Sequence, residues 1–439
     1  MPGAAASETI RSWTGEFPGR AVVAALRPLQ MLTAAPSLLF LLALTAMLLR
    51  HPDARFYEMD RVAFGLLVAG VSAQAVVMRQ RLLTIQRATW PMMGLIVLAL
   101  ISLASQPFEP EAWNLLASKF IVPFTMFHLA GLVFTEEKYF QQFEIFALIV
   151  LGYLSFTAIA FLCGADWLIY PKFILDEGLG FHADRARGPL LQAVANGVSL
   201  NLLGILGWHA YRRRRMRGAK MAVLLAAAPI AILATMTRAV WLTFAGTVLA
   251  LAFLSKSRTL RMAGFAAAVA ATGGLAILLG STEFGATVND RLEERGPVDY
   301  RAAVYAGGWQ MFLERPWLGW GFHQMPEELP QHVSGYREKV LYPHNTYLEL
   351  LAEHGVAGLG LYLWLMWELW KLRRGKIPAQ EEWGFLNASF YRLWPVLLLV
   401  YWINAAVVVM SYQFVNGLLY TIAGMLAAQQ RRGKLAQAC

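Results

Sequence analysis

Apolar residues along this chain gather into long runs separated by short polar loops. Twelve runs stand out, at roughly 31–49, 61–78, 88–105, 113–134, 140–163, 189–211, 219–236, 239–255, 262–280, 345–370, 386–409 and 412–429. Each is close to the length of helix that crosses a hydrocarbon core. The pattern predicts an all-α polytopic membrane protein of about 12 transmembrane helices, a single transmembrane domain over residues 1–439. Two polar intervals break the rhythm, 164–188 and the much longer 281–344, which forms a loop subdomain between the ninth and tenth helices. Long irregular segments of this kind usually carry function. Within the longer one, Asp299 to Glu314 predicts an amphipathic helix ended by Pro316, with Arg301, Tyr305, Gly308, Trp309 and Phe312 on one face. The sequence PWLGWGFHQM follows, where Gly319 and Gly321 permit a tight turn. No internal repeat is evident, and the long segment is not placed where a two-halves transporter would have its central connection.

The tenth run opens on YPHNTYLELLAEHGVAGLG, residues 342–360. Pro343 restricts the entering backbone, and Thr346 with Glu349 has the T-x-x-E spacing of a capping box. That places His344 two residues outside the cap, at the mouth of a membrane helix. The positive helix end there disfavours imidazolium, so the neutral ring is a candidate general base. The plainer alternative is an interfacial histidine that binds headgroups or a loop carbonyl.

Composition agrees with the runs: 57% of residues are hydrophobic and 15% charged, with a mean hydropathy of +0.47. A net charge of +10 raises nucleic acid as a partner, but the distribution of cations argues against it. Arg79, Arg81 and Arg87 follow the second run, Arg212 to Arg215, Arg217 and Lys220 the sixth, and Lys256, Arg258 and Arg261 the eighth. Lys371, Arg373, Arg374 and Lys376 follow the tenth, and Arg431, Arg432 and Lys434 the twelfth. All lie after even-numbered runs, the positive-inside signature of a cytoplasmic face with both termini inside. Arg50, Arg55 and Arg61 fall on the other side and are offset by Asp53, Glu58 and Asp60. Cys163 and Cys439 are the only cysteines and suggest neither a disulfide nor a thiolate–metal framework. The N-terminus lacks the features of a cleaved signal peptide, so the first helix is expected to direct insertion.

Chemistry is expected where ionisable groups meet the outer ends of the helices. Arg185 and Arg187 precede the sixth run, with Gln192 and Asn196 on one face just inside it, and Arg238 lies at the turn between the seventh and eighth. Arg301 belongs to the loop helix, Lys119 lies about two turns into the fourth run, and His128 is deeper. Guanidinium forks pair bidentately with phosphate oxygens, so convergent arginines at this depth suit a lipid-linked diphosphate. Their plainer roles are snorkelling, or pairing with Asp184, Glu294 or Asp299. Walker A, H-E-x-x-H, G-x-S-x-G and dinucleotide-loop motifs are all absent. Carboxylates clustered to hold a divalent metal are not evident at the outer face, Asp53, Glu58 and Asp60 in a short loop being the nearest candidate, and neither a metal nor a cofactor is expected.

Taken together, the sequence resembles the O-antigen ligase and Wzy-type polymerase family of bacterial envelope proteins. His344-Asn345 with Gly355 beyond it is similar to that family's H-[NSQ]-x9-G motif, and Arg301, Trp309 and ERPWLGWGF to its R…W…P-x-x-G-x-G run. R-x3-L occurs twice, at Arg187–Leu191 and Arg238–Leu242, and the twelve-span plan with one late periplasmic loop completes the likeness, which is sharpest over about 180–360. The resemblance implies a GT-C-like fold and a metal-independent, inverting glycosyltransferase of the bacterial inner membrane, with its active site periplasmic. Its donor would be an undecaprenyl-diphosphate-linked glycan. Its acceptor would be lipid A-core for a ligase, or a second lipid-linked glycan for a polymerase. Arg187 or Arg238, with Arg185 and Arg301, would hold the diphosphate. His344 would act as general base with Arg301 at the reacting centre, and Lys119, Gln192, Asn196 and Asn345 would give support. A lipid or polysaccharide transporter is the reading from another class, and it would need broken helices or a polar path at mid-membrane.

Overall fold

A computed structural model describes residues 35–51, 59–77, 84–213, 218–255, 258, 296–333, 341–375 and 384–438. Among them all regular structure is helical. The chain forms α1 (Pro36–Leu48), α2 (Met59–Val77), α3 (Thr89–Ala104), α4 (Pro110–Val133), α5 (Glu137–Leu162), α6 (Ala193–Arg212), α7 (Ala219–Ala234) and α8 (Arg238–Leu254). After these come α9 (Gly296–Glu314), α10 (Met325–His332), α11 (Thr346–Lys371), α12 (Ala388–Ala405) and α13 (Gln413–Ala438). Every predicted apolar run that falls on described residues is therefore a helix, and the ninth, 262–280, lies outside them. By length and composition α2, α4 and α5 are each able to cross a membrane, while α1, α3, α7 and α8 are shorter apolar helices.

Helix α13 occupies the middle of the bundle. It is packed along α4 and also touches α1 and α6, and its residues from Phe414 to Ala428 are almost all buried. Gly424 lets the two backbones touch: a Cβ there would meet the Phe127 carbonyl oxygen at 2.0 Å. Small residues at such crossings are what membrane helices use in place of a hydrophobic drive. Buried hydrogen bonds then fix the register, Tyr401 Oη to Asn416 Oδ1 at 2.6 Å and Asn404 Nδ2 to Thr243 Oγ1 at 3.0 Å.

Contacts between helix ends sort them into two sets. At one end Arg213 pairs with Glu137 and Glu144, Arg432 donates to the Thr135 carbonyl, and Arg212 to Ser255. At the other, Arg61 donates to Asn114, the Phe322 amide to Ser102 Oγ, and Tyr305 Oη to the Ala406 carbonyl. The alternation read from the basic loops assigns these ends to the same two groups.

Candidate active site

The end of the bundle that carries Ser102, Asn114 and Ala406 is built around the N-terminus of α11. Asn345 is its cap, with Oδ1 accepting from the amides of Tyr347 at 3.0 Å and Leu348 at 3.1 Å. This corrects the expected Thr346–Glu349 capping box. Thr346 Oγ1 instead donates to the Val408 carbonyl and accepts from the Met410 amide, both at 2.9 Å, and Glu349 forms a buried ion pair with Lys119. Long-range partners have taken both members of the local motif.

His344 therefore sits one residue before the cap, with left-handed backbone (φ 46°). Its ring lies 6.2 Å from that of Tyr300 and 6.5 Å from that of Tyr342, centroid to centroid. Among the described residues no protein group hydrogen-bonds to its nitrogens. Its pKa is lowered to about 4, first by burial and then by the charges of Arg301 and His182. The neutral ring follows, as the sequence suggests, but mainly through desolvation.

Two intervals distant in sequence converge here. Phe181 stacks edge-on to Tyr342 with centroids 5.8 Å apart, and the Tyr342 amide donates to Tyr300 Oη at 3.1 Å. Segment 164–188 thereby delivers His182 to the neighbourhood of His344, while α9 delivers Arg301. Arg301 is half-buried, and no carboxylate among the described residues pairs with it. Helix α9 presents Val304, Gly307, Gly308 and Met311 inward, whereas Trp309 is 51% exposed. The face that carries Arg301 is thus only partly the packed one.

The remaining arginines differ sharply. Arg187 turns inward and is 2% exposed, its guanidinium donating to the carbonyls of Ile174, Asp176 and Leu179. It ties segment 164–188 into a compact unit. Asn196 Nδ2 helps by donating to the Ala186 carbonyl at 2.8 Å, and Gln192, at the N-cap position of α6, reaches Tyr412. The Ala186 amide donates to the Ala234 carbonyl at 3.2 Å, so the same unit rests on the end of α7, next to Arg238, which is exposed at the first position of α8. Arg185 lies 3.6 Å from Asp184.

Below His344, α11 is interrupted. Gly355 has φ 60° and ψ −159°, a region open essentially to glycine alone. The groups freed by the break are taken by the PWLGWGF segment: the amides of Val356 and Ala357 donate to the carbonyls of Pro316 and Trp317, and those of Trp320 and Gly321 to the carbonyls of Ala352 and Glu353. The two sequence motifs are halves of one joint. Beside it Lys119, on a π-helical turn of α4 (Ala117–Ile121), is enclosed with Glu349, Glu353 and His354 between the rings of Phe120 and Phe322. Glu353 also lies against the backbone amides of His323 and Met325. Two carboxylates at i,i+4 on an apolar helix were the available sequence signal for this cluster.

The fold also makes a cluster that the sequence did not reveal. Glu109 and Glu111 at the start of α4 meet His323 with one ligand atom from each within 4.8 Å of the others. Two neighbouring carboxylates at this end are therefore joined by a histidine from far along the chain.

Residues 220–363 match the family model described as O-antigen ligase. The matched stretch holds Arg238, Arg301, His344 and Gly355, and it supports the resemblance read from the motifs. No curated protein matches the chain.

Proposed function

We propose that this chain, whose residues 220–363 match the O-antigen ligase family, is an inner-membrane glycosyltransferase that moves a glycan from undecaprenyl diphosphate to lipid A-core at the periplasmic face. The acceptor hydroxyl attacks the anomeric carbon, the bond from that carbon to the diphosphate oxygen breaks, and the acceptor proton passes to His344. A single displacement of this kind inverts the anomeric centre. The diphosphate leaves between guanidinium groups that stabilise its growing charge.

The observation that carries this reading is an imidazole with no hydrogen-bond partner among the described residues, beside Arg301, where the 164–188 unit meets the late loop. A ring with a pKa of about 4 is a weak base in the empty site. A bound diphosphate offsets the charge of Arg301, raises that pKa and strengthens the base when the donor is present. Arg238 is the better second ligand of the two R-x3-L arginines, since it is exposed and lies within the family match, whereas Arg187 is committed to carbonyls. The broken helix does not favour a transporter, because the loop takes the amides of Val356 and Ala357 and the carbonyls of Ala352 and Glu353 that the break frees.

The decisive experiment is transfer in vitro from lipid-linked glycan to lipid A-core, comparing wild type with His344→Ala. Full activity in the variant sinks the general-base role. Activity that survives a chelator is required by the metal-free chemistry, and loss restored by magnesium would instead implicate Glu109, Glu111 and His323. A null strain that accumulates long lipid-linked chains supports a ligase, and one left with single repeats indicates a polymerase acting on the same donor.

A further inference from the structure

The end of the bundle opposite His344 contains a cavity of ≈ 720 Å³. Three separate connections line it. Arg87 comes from the approach to α3, Lys371 and Arg374 from the end of α11, and Arg431 from α13. These are the cations that follow the second, tenth and twelfth apolar runs, brought to one place by the fold. Phe127 and Ala427 supply apolar wall.

We propose that this cavity binds the phosphate-bearing headgroup of an anionic membrane lipid from the leaflet opposite the transfer site. The charge balance is the first argument. Glu368 is the only carboxylate among the described lining residues, and it is held by Lys371 at 2.6 Å. No ion pair among the described residues engages Arg87, Arg374 or Arg431. Three arginines lining one void, Arg87 and Arg374 of them exposed, make it a positively charged site, and the fork geometry of arginine matches phosphate oxygens. Location is the second argument. The cavity lies between membrane helices at the end defined by the basic loops, where anionic lipids concentrate and where basic pockets between helices take their headgroups. Its apolar wall suits the glycerol and upper acyl carbons better than a free ion.

This site is distinct from the proposed transfer site. Helix α11 has His344 before its first turn and Lys371 in its last, and 26 residues at helical rise put the two about 40 Å apart. The inference rests on the membrane reading and does not depend on the transfer chemistry.

The test uses the full chain in nanodiscs of phosphatidylcholine alone, or of phosphatidylcholine and phosphatidylglycerol in equal parts. Retained lipid is read by native mass spectrometry and stability by thermal unfolding. Wild type should retain phosphatidylglycerol selectively and unfold at a higher temperature in the mixed discs. In Arg87→Gln/Arg374→Gln/Arg431→Gln that preference should fall about a hundredfold, taking about fivefold for each cation near the anionic surface. Selectivity unchanged in the triple variant overturns the proposal. Equal stabilisation by inorganic phosphate in phosphatidylcholine discs also overturns it, as the mark of a soluble-anion site. Should the triple variant not fold, Arg374→Gln alone, at an exposed position, should lower the preference about fivefold, and no change there overturns the proposal.

Discussion

Replacing Gly355 with alanine tests the joint between α11 and the loop directly. An added Cβ would stand 2.4 Å from the Trp317 carbonyl carbon and oxygen and 2.5 Å from the Pro316 oxygen. These are backbone atoms and cannot rotate away. Holding a residue with a side chain at φ 60°, ψ −159° costs about 1–3 kcal/mol. Forcing the contact apart costs about 1–3 kcal/mol more, or else gives up the hydrogen bonds from Val356 and Ala357, worth about 0.5–1.5 kcal/mol each. A destabilisation of about 3–5 kcal/mol is expected, and at about 2 °C per kcal/mol for a large chain the unfolding midpoint should fall by 6–10 °C. Hydrogen exchange read by mass spectrometry should show the amides of Trp320, Gly321, Val356 and Ala357 losing protection together. Gly360→Ala provides the control, because a Cβ there meets nothing within 4 Å and the residue is helical. That variant should be neutral, or more stable by up to about 1 kcal/mol. A Gly355→Ala protein with wild-type protection and midpoint would refute the reasoning.

Other perturbations separate binding from support. Arg187→Ala strips three loop carbonyls of their donor and should cost about 3 kcal/mol, with proteolysis of segment 164–188 preceding global unfolding. Lys119→Met leaves Glu349 buried without its cation beside Glu353 and should cost about 3–5 kcal/mol, while Lys119→Met/Glu349→Leu should recover most of that in a thermal double-mutant cycle. Arg301→Lys keeps the charge but loses the planar fork, so transfer should fall at least about tenfold at saturating acceptor. His344 is neutral above pH 4 and gains a proton as pH falls through its lowered pKa, so its reaction with diethyl pyrocarbonate should decline only in that acid range. Arg301→Gln removes a cation that lowers the pKa and should shift the decline toward higher pH. A shift to lower pH would contradict the assigned cause.

The helices themselves are legible because apolar runs need no partner to be recognised. Asp299 to Glu314 is found as Gly296–Glu314, and 345–370 as Thr346–Lys371. What escapes the sequence depends on contacts between remote segments. Thr346 and Glu349 spell a capping box, yet Asn345 caps, because Met410 and Lys119 claim the other two side chains. The break at Gly355 is invisible in AEHGVAGLG, since what stabilises it is a strand of backbone contributed by residues 316–321. Arg187 and Arg238 head identical R-x3-L motifs, and only burial separates a structural guanidinium from an exposed one. Glu109 and Glu111 look like an ordinary acidic helix start until His323 is folded against them.

The central position of α13 has a consequence for how the protein is made. The ribosome delivers α1, α4 and α6 well before the helix that fills the space among them. Until α13 arrives, the face of α4 that carries Phe127 lacks the helix it packs along, and lipid or an insertion chaperone must cover it. The packing around α4 is thus completed only when the last helix of the chain joins it. Substitutions that enlarge Gly424 should reduce the yield of folded protein without impeding membrane insertion, a difference that pulse-labelling with protease protection can measure.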